Sequence, residues 1–406
     1  MENQTKRKVG LACAGGVVQG AIYEIGALCA LQEAIDGLDF AALDVYVGVS
    51  SGALISSCLA NGISPHTLSR AIVSDSDAEL NIKPEVFFEP AFREIGSRLA
   101  KVPQTIYRSL RRYLSSPLDI SPLGILAGLA PLVPAGFFSN APLQKYLENV
   151  FTDAERSDDF RDLNSVLRVI AVDLDSAEIV CFGDASTKHV PISRAVQAST
   201  ALPGLYAPIE IDGISYIDGV ARRTVHASVA LNEGADLLFC INPIVPVNTH
   251  LDAEMDDREA REEHLSEHGL PAVLSQTFRT LVFSRMRAGM RNYQHSHPDA
   301  DLILIEPMFD DYDVFFSNIF SFSNRQAMCE HAYQQTRAYL STHAGELTER
   351  LRKHGLGLRM DVLNDPLRSL YGMASKAPCS ASAVAKEAGE VLDRLEGLLK
   401  KVRETG

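Results

Sequence analysis

The opening stretch of the chain constrains the fold more than any other part, because apolar strand, glycine turn and helix follow one another twice within it. Lys8 to Ala14 is a short apolar run and Gly20 to Ala34 has the make-up of a helix; Val45 to Val49 and Gly52 to Asn61 repeat the pair. Strands that alternate with helices pair in parallel, since each helix carries the chain back to the starting edge of the sheet. Later apolar runs at Val166 to Val172, Ala235 to Ile241 and Leu302 to Ile305 read as further strands of that sheet. The expected class is α/β, with a mostly parallel central sheet flanked by helices.

Size and charge narrow the possibilities. The chain has 406 residues, 46% hydrophobic and 22% charged, enough apolar mass for a large core and too much for disorder. A net charge of -14 excludes a nucleic-acid binder, whose phosphate contacts need a basic face. The seven cysteines stand singly, with no C-x-x-C pair, so neither a disulfide framework nor a zinc site is signalled. A reducing compartment fits them. The polar start, Met1 to Lys8, runs directly into an apolar stretch without the length or flanks of a signal peptide, and the expected location is cytoplasmic.

Two segments interrupt the α/β pattern. An insertion spans about 76–141. Its first part, Phe92 to Arg112, sets Arg93, Arg98, Lys101, Arg108, Arg111 and Arg112 against Glu94 alone, and its later part, Ile120 to Gln144, carries no charge. Pro122, Pro131, Pro134 and Pro142 would break a membrane-spanning helix there. In the basic part, Ile106, Tyr107, Leu110, Tyr113 and Leu114 alternate with arginines, as in a helix lying on a lipid interface or one packed on the domain with a solvated basic face. Arg98, Lys101, Arg108, Arg111 and Arg112 are the candidate membrane patch. The charge-free stretch is expected to be a lid or a pocket wall.

At the other end, Val384, Ala388, Val391, Leu395, Leu398 and Val402 step by four and three, the spacing of a helix with a narrow buried seam. Its partner is expected to be either a long preceding helix, roughly Arg325 to His354, or a second copy of the chain in a homodimer. A further basic helix is expected over Phe278 to Arg291, with Phe278, Val282, Met286 and Met290 packed in the core. The expected division is 1–345 for the main domain and 346–406 for a C-terminal helical extension.

Three motifs carry chemistry. Gly48-Val49-Ser50-Ser51-Gly52 ends the second strand and opens the second helix, a G-x-S-x-G elbow in which a serine sits in a strained turn. Chance alone would produce the bare pattern roughly 0.1 times in a chain this long, so the strand-turn-helix context is what gives it weight. A nucleophile there needs donors for the oxyanion, and the first strand ends in Ala14-Gly15-Gly16-Val17-Val18-Gln19-Gly20 before a helix. The dinucleotide pattern G-x-G-x-x-G is absent and no Walker lysine follows. Finally, Pro208 to Val220 holds two Asp-Gly pairs. Asp212-Gly213 lies between alternating apolar segments and reads as a two-residue hairpin turn, whereas Asp218-Gly219 comes one strand later, where a carboxylate can face the elbow.

A glycine-rich loop, an elbow soon after it and a late D-G aspartate, with the linking text Ala195 to Pro208, resemble the patatin-like phospholipase family over roughly residues 8–245. The resemblance implies a three-layer patatin-like fold and hydrolysis of fatty acyl esters of phospholipids or neutral lipids. It further implies a Ser50–Asp218 dyad without histidine, an oxyanion loop of Gly15, Gly16 and Val17, and no metal or other cofactor. Lipid or phospholipid is the implied substrate, met by peripheral contact with a lipid surface. The sequence departs from the family at Val17 and Gln19, where a glycine and a basic residue are usual, and at Val220, where glycine or alanine is usual.

Other readings remain beside this one: a lipid-binding or scaffolding member with impaired chemistry, and an acyltransferase or intracellular polyester hydrolase. A Ser-His-Asp triad would draw its histidine from His226, His250, His295 or His297, none of which lies in a motif.

Overall fold

The computed structural model describes residues 7–74, 80, 82, 86–91, 134–153, 155–248, 265–308 and 324–371. The strands in chain order are β1 (Lys8–Cys13), β2 (Ile35–Asp36), β3 (Val45–Val49), β4 (Glu89–Pro90), β5 (Gly136–Ser139), β6 (Val166–Asp173) and β7 (Ile179–Phe182). They continue as β8 (Gly204–Tyr206), β9 (Ile209–Ile211), β10 (Ile214–Asp218), β11 (Ala235–Ile241), β12 (Asp301–Ile305) and β13 (Gly357–Leu358). The helices are α1 (Val17–Ala34), α2 (Ser51–Ala60), α3 (Pro65–Leu68), α4 (Ala141–Phe151) and α5 (Ile192–Ser199). After them come α6 (Ala227–Asn232), α7 (Gly269–Ser296), α8 (Asn324–Thr342), α9 (Ala344–Lys353) and α10 (Met360–Leu363).

Eight strands form the central sheet in the order β12-β11-β1-β3-β6-β10-β9, with β7 also on β6. The pairs β11–β12, β1–β11, β1–β3 and β3–β6 are parallel, β6–β7, β6–β10 and β10–β9 are antiparallel, and so only β7 and β10 run against the other strands. The strands alternate between two buried layers, as a sheet covered on both faces requires. Leu11, Cys13, Tyr46, Leu237 and Phe239 face one layer, which α1, α2, α4, α5 and α8 complete. Ala12, Ala14, Val45, Val47, Val49, Leu238 and Cys240 face the other, which Ala230 and Leu231 of α6 and Val282, Met286 and Tyr293 of α7 complete. The result is three layers of helix, sheet and helix, the fold of the patatin family expected from the sequence.

The ends of the insertion are pinned together: β5 pairs with β4 and with β8, so the chain leaving the insertion is tied to the segment that leads into Asp218. Phe138 packs edge-on against Phe88 there, while Phe137 faces outward. Arg98, Lys101, Arg108, Arg111 and Arg112, residues 120–133 of the charge-free stretch and the C-terminal seam helix lie outside the described residues.

Two expectations need correction. The single helix expected over Arg325 to His354 is two helices, α8 and α9, divided at His343. Gly345 then sits in the first turn of α9, where it lowers helix propensity. The helix expected over Phe278 to Arg291 is longer, Gly269–Ser296, and Phe278 is 37% exposed rather than in the core. Beyond α9, β13 pairs with β2, and Arg337 donates to the carbonyls of Val362 and Asp365, so residues 346–371 are packed onto α1 and α8.

Candidate active site

Parallel strands deliver the ends of β1 and β3 to the same edge of the sheet, one strand apart, and both loops there turn directly into helices. Close packing explains the elbow glycines. A Cβ at Gly48 would lie 2.5 Å from Ala53 Cα, and one at Gly52 would lie 2.4 Å from the carbonyl oxygens of Cys13 and Ala14. Between them Ser50 adopts φ 55°, a conformation that costs a residue with a side chain roughly 1–3 kcal/mol. The neighbours that hold it there are specific. The Ser50 N–H donates to Ser199 Oγ at 2.9 Å, and the Ser199 hydroxyl donates to the Ile170 carbonyl of β6 at 2.6 Å. From the other side, the Gly52 N–H donates to the Ala14 carbonyl at 3.0 Å. Ser50 itself is 4% exposed and caps the N-terminus of α2, whose dipole favours negative charge at that spot.

Asp218 arrives from the antiparallel side. β10 pairs with the end of β6, and the Asp218 N–H donates to the Ala201 carbonyl at 3.0 Å, two residues beyond Ser199. Its Oδ1 accepts from the Val220 N–H at 2.9 Å. The Ser50 hydroxyl is the other donor that favours the carboxylate, but it stops short of a regular hydrogen bond, because Oδ2 has no partner within bonding distance. Burial dominates: with 1% of its surface exposed, Asp218 is pushed up to about 7, against an ordinary 3.8. A carboxyl that titrates near neutrality can take a proton and give it back.

The glycine loop closes the group. A Cβ at Gly15 would lie 2.9 Å from Ser50 Cβ and 2.2 Å from Val220 Cγ2, so Ser50 and Val220 both pack against Gly15. The three motifs therefore converge on one point. Gly16 precedes the first turn of α1, whose leading N–H groups have no acceptor within the helix and project from its N-terminus. Val17 has φ 56°, a left-handed conformation that favours glycine and that a β-branched residue seldom adopts. Asp212 and Gly213, at φ 52° and 80°, form the expected hairpin turn between β9 and β10, away from Ser50.

The histidines do not join this group. His226 is buried, its Nε2 has no hydrogen-bond partner, and burial pushes it down to about 4. His295 and His297 sit at the C-terminal end of α7, at the opposite edge of the sheet, and bond the Arg291 carbonyl and the Ser296 hydroxyl. His250 lies outside the described residues. Ser199 and the Ala201 carbonyl are the parts of the site that the sequence reading passed over. Their only signal was the linking text Ala195 to Pro208, which marks the segment but not the atoms.

A family model described as Patatin-like phospholipase matches residues 11–231 of the chain, more than half of its length. Among solved structures, the chain is similar to VipD from Legionella pneumophila, at 15% identity and a TM-score of 0.35, over 84% of this chain and 67% of that one. It is similar to the type III effector protein ExoU at 15% identity and a TM-score of 0.36, over 83% of this chain and 53% of that one. ExoU of Pseudomonas aeruginosa in complex with SpcU matches at 19% identity and a TM-score of 0.21, over 47% of this chain and 37% of that one.

Proposed function

The chain belongs to the patatin-like phospholipase family and is a lipid hydrolase, and on that premise we propose that it cleaves fatty acyl esters with Ser50 as nucleophile and Asp218 as general base. The observation that carries this reading is a buried carboxylate titrating near 7 beside a serine held at positive φ on a helix N-terminus. As Ser50 Oγ attacks the ester carbonyl carbon, Asp218 accepts the hydroxyl proton. The resulting oxyanion is met by backbone N–H groups of Gly15, Gly16 and Val17 and by the dipole of α1. Collapse of the tetrahedral species breaks the bond to the leaving alcohol, which takes the proton from Asp218, and an acyl-serine remains. Water then repeats the sequence, giving its proton to Asp218 as it attacks, and the fatty acid leaves as Ser50 Oγ is reprotonated. Phospholipids and neutral lipids are the substrate class, met at a lipid surface.

A fluorophosphonate probe tests the proposal. Labelling of the wild type, lost in Ser50→Ala, with turnover lost in Asp218→Asn, is the expected result. The second reading, a lipid-binding member with impaired chemistry, draws support from the strained Val17 in the loop. Folded protein that resists the probe would favour it. Acyl transfer uses the same acyl-serine with an alcohol in place of water, and product analysis separates the two.

A further inference from the structure

Helix α7 has two apolar faces, and the core uses only one of them. Val282, Met286 and Tyr293 point inward. On the outer side Leu270, Val273, Leu274, Phe278 and Leu281 are exposed by 68%, 40%, 58%, 37% and 56%. Their steps of three and four keep them on one side of the helix, in a stripe about 17 Å long at 1.5 Å per residue. Single exposed apolar residues are ordinary, but a contiguous stripe of this kind marks a contact surface.

Position and charge say what it contacts. α7 is the crossover between the parallel strands β11 and β12, so it runs against them and its first half lies toward their carboxyl ends. Gln276 exchanges hydrogen bonds with the Val247 backbone and Arg279 donates to the Val245 carbonyl, which sets this half beyond the end of β11. The same edge carries Ser50 and Gly15. Met308, 62% exposed, leaves that edge after β12. In a chain of net charge -14, α7 contains Arg279, Arg285, Arg287 and Arg291 and no acid. Arg287 pairs with Glu306, whereas Arg285 and Arg291, exposed further along α7 beyond the C-terminal end of the stripe, form no ion pair with a described residue.

We propose that the outer face of α7 docks the protein on an anionic lipid surface, with Leu270, Leu274, Phe278 and Leu281 entering the acyl region and Arg285 and Arg291 meeting the headgroups. Greasy stripe and acid-free run of arginines together fit that occupant, since apolar area supplies the depth and the cations the attraction. The inference rests on the lipid-hydrolase reading and adds to it the face through which substrate is approached.

The test uses full-length Ser50→Ala protein, which separates binding from turnover, and vesicles of phosphatidylcholine with or without phosphatidylglycerol. Adding Leu270→Asp, Leu274→Asp and Leu281→Asp together is expected to lower partitioning onto the mixed vesicles about tenfold or more. Arg285→Ala with Arg291→Ala is expected to remove the preference for phosphatidylglycerol and flatten the salt dependence. With Ser50 intact, the leucine variant is expected to hydrolyse a monomeric short-chain ester like the wild type, so a failure of docking and a failure of the chemistry read out separately. Unchanged partitioning of the aspartate variant overturns the proposal. So does a wild-type oligomer that the variant splits, because the stripe would then belong to a second copy of the chain.

Discussion

Asp218→Asn is expected to abolish turnover and at the same time to stabilise the protein, by an amount that grows with pH. The carboxyl titrates at about 7 in the folded chain and at 3.8 when exposed, so the folded state holds a proton that the unfolded state has released. Stability contributed by this group is therefore greatest below pH 4 and falls as pH rises toward 7, beyond which the full cost persists. At 1.36 kcal/mol per pH unit the cost is about 1.6 kcal/mol at pH 5 and about 4 kcal/mol at pH 8. Asparagine keeps the acceptor for the Val220 N–H and carries no charge to bury, so it escapes that cost. Unfolding entropy near 2.1 cal/mol/K per residue over 406 residues gives about 0.85 kcal/mol per degree, and the variant's advantage becomes about 2 °C at pH 5 and about 5 °C at pH 8. Calorimetric scans of both proteins across that range measure it, with titrations elsewhere cancelling in the difference. An advantage that is constant with pH, or that shrinks as pH rises, would refute the placement of a desolvated carboxylate at this position.

Three further outcomes follow from the same geometry. The rate kcat/KM on a soluble ester is expected to rise with pH through about 7 as Asp218 becomes a base, and a profile flat from pH 5 to 9 would move the base elsewhere. Ser199→Ala leaves the Ser50 N–H without its acceptor and the Ile170 carbonyl without its donor, both buried; about 2–4 kcal/mol of stability should go, with kcat falling more than KM rises. Val17→Gly is expected to raise stability by about 1 kcal/mol in urea titration by releasing the left-handed φ, with turnover retained because the amide N–H remains.

The legible parts of the chain are those where local pattern and final contact coincide. β3, the elbow and α2 could be read because a strand, two glycines and a small-residue helix each leave their own mark, and the packing at Gly48 and Gly52 is the physical form of that mark. Asp212 and Asp218 could be told apart because a hairpin turn needs consecutive positive φ values and a strand end does not. Ser199 was not legible as a support: a serine in the small-residue run Ala195 to Ala201 has no periodic signature, and its role comes from Ile170, on strand β6. Phe278, at one end of the expected core face of α7, was misread for a related reason. Apolar residues at steps of four predict a buried face, and nothing local distinguishes a second apolar face that looks outward. The split at His343 likewise leaves no proline or paired glycine to announce it.

The short bridge from Ser199 to Ala201 also bears on when, during synthesis, the site can first assemble. It grips Ser50 across a separation of 149 residues and Asp218 with the carbonyl of Ala201. A ribosome therefore exposes the elbow long before it has made either the clamp or the carboxylate. Until Asp218 has emerged and β10 has closed onto β6, the serine is an ordinary alcohol on an unsupported turn, so the nascent chain is expected to be inert toward lipid up to that point.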